Sequence, residues 1–220
     1  MINKTSLLLI VFILACTSIR LSASNNPAPA RQLFIRIFKQ EKELQLWIKN
    51  SQESKFSLFK TYKVCALSGN LGPKRKEGDL QVPEGIYNIS SLDLMHKFYK
   101  GLNLNYPNES DIVLSDKINP GSEIAIHGNC ISSGCIAMSD EVMDQIFPLV
   151  EKAITEGQNN IPVHIFPCDF SKTNLDELFK AQPKHKSFWM SLASVQQHFD
   201  SWNKLPWIVV EADGNYSLIK

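Results

Sequence analysis

The residues best suited to chemistry in this 220-residue chain lie in one short run, Ile126-His127-Gly128-Asn129-Cys130-Ile131-Ser132-Ser133-Gly134-Cys135-Ile136-Ala137-Met138. A cysteine attacks as its thiolate, and an unperturbed thiol, with a pKa of about 8.5, is only slightly ionised at neutral pH. It therefore needs a base beside it, and backbone N–H groups aimed at the oxyanion that its attack creates. His127 at the end of an apolar run supplies the first, and Ser132-Ser133-Gly134-Cys135 ahead of a helix N-cap supplies the second. Gly134 lets the backbone approach a substrate closely. Taken singly, the same residues have plainer readings: His127 as a hydrogen-bonded polar residue, Cys135 as a small buried hydrophobe. Cys130 reads three ways: a structural thiol, a reversible disulfide partner of Cys135, or a zinc ligand with His127 and Cys135. No fourth ligand and no C-x2-C pair accompany the zinc reading. Cys65 and Cys168 read as buried thiols or as partners in a strand-to-strand disulfide.

The elements that must hold this run follow from periodicity. Leu33 to Phe38, a charged turn, and the alternating Leu44, Leu46 and Ile48 predict a β-hairpin. Phe56 to Leu67 predicts one further strand, and Ile86 to Ile89 another after the Pro83-Glu84-Gly85 turn. Between them, Gly72 to Asp79 reads as a polar loop whose Lys74-Arg75-Lys76 run is solvated. Residues 97–120 read as loop, and Glu123 to Ile126 as a strand that delivers His127. Ser139 is an N-cap for an amphipathic helix over 140–157, which Pro148 should kink or interrupt. Ile161 to Phe166 is a strand, Phe188 to Trp202 carries a second helical stripe, and Trp207 to Ile219 ends the chain in a hairpin around Asp213-Gly214-Asn215. Strands dominate, with helices on one side: a mixed α/β, β-rich domain.

Composition narrows the classes. Hydrophobic residues make up 44% of the chain, enough for a sizeable core, so wholesale disorder is excluded. The formal charge is +1, which leaves no field of one sign for nucleic acid. Residues 1–23 read as a signal peptide: Lys4, an apolar Ser6–Ala15 segment too short to span a bilayer, and a small residue, Ala23, at the cleavage point. Ile13-Leu14-Ala15-Cys16 also resembles a lipobox, which would anchor the protein through Cys16 instead. Lys4 and Arg20 leave with the leader, so the remainder holds 21 basic and 22 acidic groups. An exported, nearly neutral protein with four cysteines is the result.

The His127–Met138 run resembles the signature of the L,D-transpeptidase catalytic domain (YkuD-like) family: a His-Gly followed by Ser-X-Gly-Cys-(Ile/Val)-Arg-(Met/Leu). Gly72-Pro73-Lys74, Glu77-Gly78-Asp79, Pro83-Glu84-Gly85 and Tyr106-Pro107-Asn108 resemble the YafK-like branch. The resemblance implies a β-rich sandwich over residues 33–167, after a linker at 24–32, with residues 168–220 as a helical extension packed on the same domain. It implies Cys135 as nucleophile, His127 as base and Ser132 as the box serine. Backbone at Ser133 and Gly134 would hold the oxyanion, and Gly128, Asn129 and Tyr106 would meet the substrate. The implied activity is thioester chemistry on meso-diaminopimelate amides of peptidoglycan stem peptides, either cleaving a wall-linked peptide or lipoprotein or forming crosslinks. No metal or organic cofactor is implied, no membrane span after processing, and a periplasmic or envelope location. Two box positions depart from the family: Ser133 stands for a histidine and Ala137 for an arginine. They support the alternatives, a wall-binding module without chemistry or, with Cys130, a thiol oxidoreductase lacking the usual C-x-x-C.

Overall fold

The computed structural model describes residues 29–219. The expected leader, the Cys16 lipobox and most of the linker lie outside the described residues. Arg31–Phe38 (β1) and Glu43–Asn50 (β2) form the expected antiparallel hairpin. β1 is buried at every position from Leu33 to Phe38, because both of its faces are covered. Leu33, Ile35 and Ile37 enter the main core, while Phe34 and Phe38 turn to the opposite face.

The predicted third strand is two strands. Ser57–Lys63 (β3) pairs with β2, whereas Ala66–Leu67 (β4) pairs with Ile136–Ala137 (β8). Gly85–Asp93 (β5), Gly101–Leu104 (β6), Ala125–His127 (β7) and Pro162–Phe166 (β9) complete a nine-stranded sheet in the order β3-β2-β1-β9-β5-β6-β7-β8-β4. β3 and β4 are therefore the two edges of one sheet, yet only Val64 and Cys65 separate them in sequence. Three Cα steps span at most roughly 11 Å. The sheet must curl until its edges nearly meet, and the Val64 N–H reaches Lys42 O while the Cys65 N–H reaches Ala137 O. The sandwich implied by the family resemblance is thus a single curled sheet.

Residues 97–120, read as loop, contain β6 and a short helix, Glu109–Leu114 (α1), capped reciprocally by Asn108 and Asp111. Asp140–Thr155 (α2) starts on Ser139 as expected and buries Met143, Ile146, Phe147, Val150 and Ala153 against the sheet. Pro148 does not interrupt it: Pro148 and Asp144, whose carbonyl it leaves unpaired, are both exposed, so water can serve that group. Leu175–Ala181 (α3), Lys186–Trp202 (α4) and the hairpin Ile208–Val210 (β10) with Tyr216–Leu218 (β11) cover the other face of β1.

One buried ion pair joins these layers. The Lys39 ammonium, just past β1, donates to Gly72 O, Val82 O and Glu84 Oε1 at 2.8, 2.9 and 2.8 Å. Glu84 Oε1 also accepts the Gly72 N–H, and Oε2 accepts Trp189 Nε1–H of α4, both at 2.7 Å. Glu84 is fully buried and Lys39 nearly so. Glu84→Ala should therefore cost about 3–5 kcal/mol in denaturant unfolding, because it strands the Lys39 charge. Loss of less than about 1 kcal/mol would show that water already compensates the pair.

Candidate active site

β7 and β8 lie side by side in parallel, with His127 opposite Ala137 and Ile126 opposite Ile136. Ile126 and Ile136 point into the main core. Side chains alternate along strands, so His127, Ala137 and the preceding Cys135 share the other face, on adjacent strands and one pleat repeat apart. This brings the two sequence-predicted groups together. The His127 ring is buried, and its Nδ1–H donates to Gly128 O at 2.7 Å, which leaves Nε2 as the free acceptor. His96 and Phe98, from the segment between β5 and β6, pack on this ring at 4.9 and 5.1 Å. Burial, then the nearby His96, holds the His127 pKa below its ordinary value against the pull of the Gly128 carbonyl, so the ring rests neutral.

The Cys135 thiol donates to Glu123 O at 3.6 Å and makes no hydrogen bond to His127. Burial pushes its pKa up, the Ala125 N–H and the Lys74 ammonium pull it down, and Glu123 pushes it up again; the net shift is upward. The resting pair is thus neutral thiol and neutral imidazole. Cys135 opens into a cavity of about 520 Å³ lined also by Asp93, His96, Lys97, Phe98, Asn103 and Glu123. Glu123 is held at φ +55°, a costly conformation for a residue with a Cβ, at the position where its carbonyl meets the thiol.

The loop before Cys135 is braced differently from expectation. Ser132 Oγ donates to Cys135 O at 2.6 Å and contacts Ser68 Oγ at 3.0 Å, so Ser132 shapes the loop rather than touching the sulfur. The Gly134 N–H is spent on Ser68 Oγ at 2.6 Å and is not free for an oxyanion. Among the described residues, the N–H groups of Ser133 and Cys135 donate to no protein group. Gly128 and Asn129 are bracing positions too. A Cβ at Gly128 would collide with the Asp140 carboxylate, which accepts the Asn129 N–H at 2.7 Å. Tyr106 is not in the cavity: it is buried, with its hydroxyl donated to Pro120 O at 2.8 Å.

Cys130 is bonded to Cys65, with 5.1 Å between their Cα atoms. This removes the Cys130–Cys135 redox pair, the Cys65–Cys168 pairing and the zinc set, since the Cys130 sulfur is no longer a thiolate ligand. Cys168 is a buried free thiol. The bond fastens β4's approach to the loop after His127, where Asn129 and Cys130 take φ of +67° and +50°. Lys74, read as solvated, is only 4% exposed and pairs with Asp79 Oδ1 at 2.8 Å. Arg75 reaches Asp111 at 3.2 Å, and only Lys76 is exposed as expected. Ser68, His96 and Glu123 carried no signal of spacing that would have joined them to the box.

Comparison with known proteins bears on the family and the fold. Residues 33–165 match the L,D-transpeptidase catalytic domain, YkuD. The chain belongs to that family. It is 31% identical over 232 aligned positions to "Putative L,D-transpeptidase YafK" of Escherichia coli strain K12, covering 99% of this chain and 91% of the relative. The fold also matches the crystal structure of the helical cell shape determining protein Pgp2 (K307A mutant) from Campylobacter jejuni, with a TM-score of 0.50 and 18% identity over 75% of this chain. This chain spans 59% of that structure.

Two outcomes are expected. Among the cysteines of the described residues, iodoacetamide should label Cys135 alone in the unreduced protein, at a rate that keeps rising with pH through and beyond the ordinary thiol value of about 8.5. A plateau below neutrality would mean a resting thiolate–imidazolium pair. The paired variant Cys65→Ser with Cys130→Ser opens a loop closed over 65 residues and should lose about 4 kcal/mol in denaturant unfolding of the unreduced protein.

Proposed function

We propose that this L,D-transpeptidase-family protein is an exported cysteine enzyme acting on meso-diaminopimelate amides of peptidoglycan stem peptides. The observation that carries the reading is the placement of the Cys135 thiol and the His127 ring on one strand face, with the thiol opening into a charged cavity. In the reaction His127 Nε2 takes the thiol proton as the sulfur attacks the amide carbonyl. The free N–H groups of Ser133 and Cys135, rather than Gly134, receive the oxyanion. Collapse expels the amine with the proton from His127 and leaves a thioester on Cys135. Water or a second amine then resolves the thioester, with His127 as base again.

The direction of the second step favours cleavage. A transpeptidase must hold an acceptor in register for longer than water takes to arrive. Ser133 and Ala137 replace the family's ionisable histidine and arginine, and Ala137 is wholly buried in β8. Neither position offers a charge that could hold an anionic acceptor, while attack by water needs none. Wall-linked peptides, including a lipoprotein attached through diaminopimelate, are then the substrates, and the site of action is the periplasm or cell envelope. The wall-binding module without chemistry gains nothing from a thiol that opens into this cavity.

Digested sacculi treated with the protein decide between the products by chromatography and mass spectrometry. Released peptide or protein bearing a free amine, with a Cys135 thioester trapped early, is expected. New 3–3 crosslinked dimers without released material would reverse the direction. Either product should fall at least about 10³-fold in Cys135→Ala, as loss of a covalent nucleophile requires. Retained muropeptide with no adduct would establish the binding module instead.

A further inference from the structure

Ala137 has no charge to stand in for the family's arginine, and its place in β8, between β7 and β4 in the sheet, is wholly buried. A cation can reach the sulfur only from another element. The loop Gly72–Asp79 carries one. Lys74 is 4% exposed, and its ammonium donates to Lys76 O at 2.9 Å and to Asp79 Oδ1 at 2.8 Å, which leaves its third proton unassigned. Two sets of contacts place this group beside the segments that hold the thiol. Its side chain lies against Gly121, where a Cβ would sit 2.6 Å from Cε and 3.1 Å from Nζ. Two residues on, the Glu123 carbonyl accepts the Cys135 S–H. On the other side, Asp79 Oδ1 also accepts the Gln81 N–H at 3.1 Å, and the Gln81 carbonyl packs 3.5 Å from where a Gly134 Cβ would stand. The same loop that holds the ammonium therefore walls the segment that holds the sulfur.

We propose that Lys74 is a further positioning residue of the acyl-transfer site, the buried cation that stabilises the Cys135 thiolate. It rests on the reading of Cys135 as nucleophile. Its electrostatic effect on the thiol opposes those of burial and Glu123. The balance is simple: the S–H proton passes to His127 Nε2, and the negative charge left on sulfur lies in the field of the Lys74 ammonium. A buried cation is worth more here than a solvated one, since water screens its field less. Asp79 fixes the ammonium in place, and its remaining acceptor sites take the Arg75, Lys76 and Gln81 N–H groups, which pins the loop around the pair.

Iodoacetamide labelling of Cys135 across pH tests this without any need for turnover. At a fixed pH below the thiol midpoint, Lys74→Met should slow labelling by about threefold to tenfold, and move the midpoint upward. Lys74→Arg, which keeps the charge, should stay within about twofold of the parent. Asp79→Asn breaks the same ion pair and loosens the same loop but leaves the ammonium, so its labelling should be unchanged or faster. An unmoved midpoint in Lys74→Met, or slowing in Asp79→Asn equal to that in Lys74→Met, overturns the proposal. Should Lys74→Met fail to fold, slowed labelling in Asp79→Asn alone overturns it, and unchanged or faster labelling supports it. Failure of the wall-cleavage reading is distinguishable: sacculi would release nothing with the parent protein, whatever the labelling midpoints.

Discussion

The Lys39–Glu84 pair is the constraint from which the architecture of the candidate site hangs. Taking an ammonium and a carboxylate out of water costs several kcal/mol per ion, and their attraction repays it only if every remaining donor and acceptor is used. Here they are used: Lys39 spends three protons on Gly72, Val82 and Glu84, while Glu84 takes the Gly72 N–H and the Trp189 indole. Two apolar side chains would fill the same space at less cost. They could not fix both ends of the segment from Gly72 to Glu84 to the end of β1 and to α4. That segment carries Lys74, Asp79 and Gln81, and so decides what stands behind Cys135. Burial lowers the Lys39 pKa while Glu84 raises it, which is the electrostatic signature of a charge kept in place by its partner.

The second constraint is topological. β3 and β4 are consecutive in the chain but occupy opposite edges of the nine-stranded order, so the sheet has to close on itself around the main core. The Cys65–Cys130 bond sits at this seam. Through it the short link after β3 is tied to the left-handed turn that follows His127. His127 thus has its backbone fixed by β7, its tautomer by Gly128 O and its ring by His96 and Phe98. A ring held on all three counts can accept a proton without first reorganising, which is where preorganised sites gain their advantage.

Legibility in the sequence followed the length scale of the signal. The β1–β2 hairpin, α2 and α4 were readable because apolar residues recur at periods of 2 or 3.6 over many residues. The β3–β4 break was not, since Phe56 to Leu67 reads as one run and nothing marks Val64-Cys65 as a crossing between edges. α1 is only six residues long, and its one trace is the Asn108–Asp111 capping box, easily lost in a turn-rich stretch. At the site, His127 and Cys135 could be named because they belong to one contiguous motif. The residues that tune them could not: Ser68 lies 64 residues from Ser132, and Glu123 acts through a carbonyl that every residue possesses. Cysteine pairing was undetermined for the same reason, being a property of the closed sheet rather than of spacing.

Lys74 shows why a charge run misleads. Lys74-Arg75-Lys76 looks like three equivalent solvated cations, and a loop of this composition is usually just that. Burial divides them: Lys74 turns inward to Asp79, Arg75 reaches Asp111 beneath α1, and Lys76 alone meets water. What separates them is the Asp79 carboxylate, which binds the Lys74 ammonium and the N–H groups of Arg75 and Lys76 at once, and so folds the loop around its own charge. A box that lost its arginine at Ala137 can therefore recover a cation from a loop more than 60 residues earlier, provided the loop is pinned. The pin is again Gly72, held through both its N–H and its carbonyl by the Lys39–Glu84 pair. The substitution inside the motif and the buried pair outside it are two parts of one electrostatic arrangement. Reading the motif alone counts the loss at Ala137 and misses the compensation.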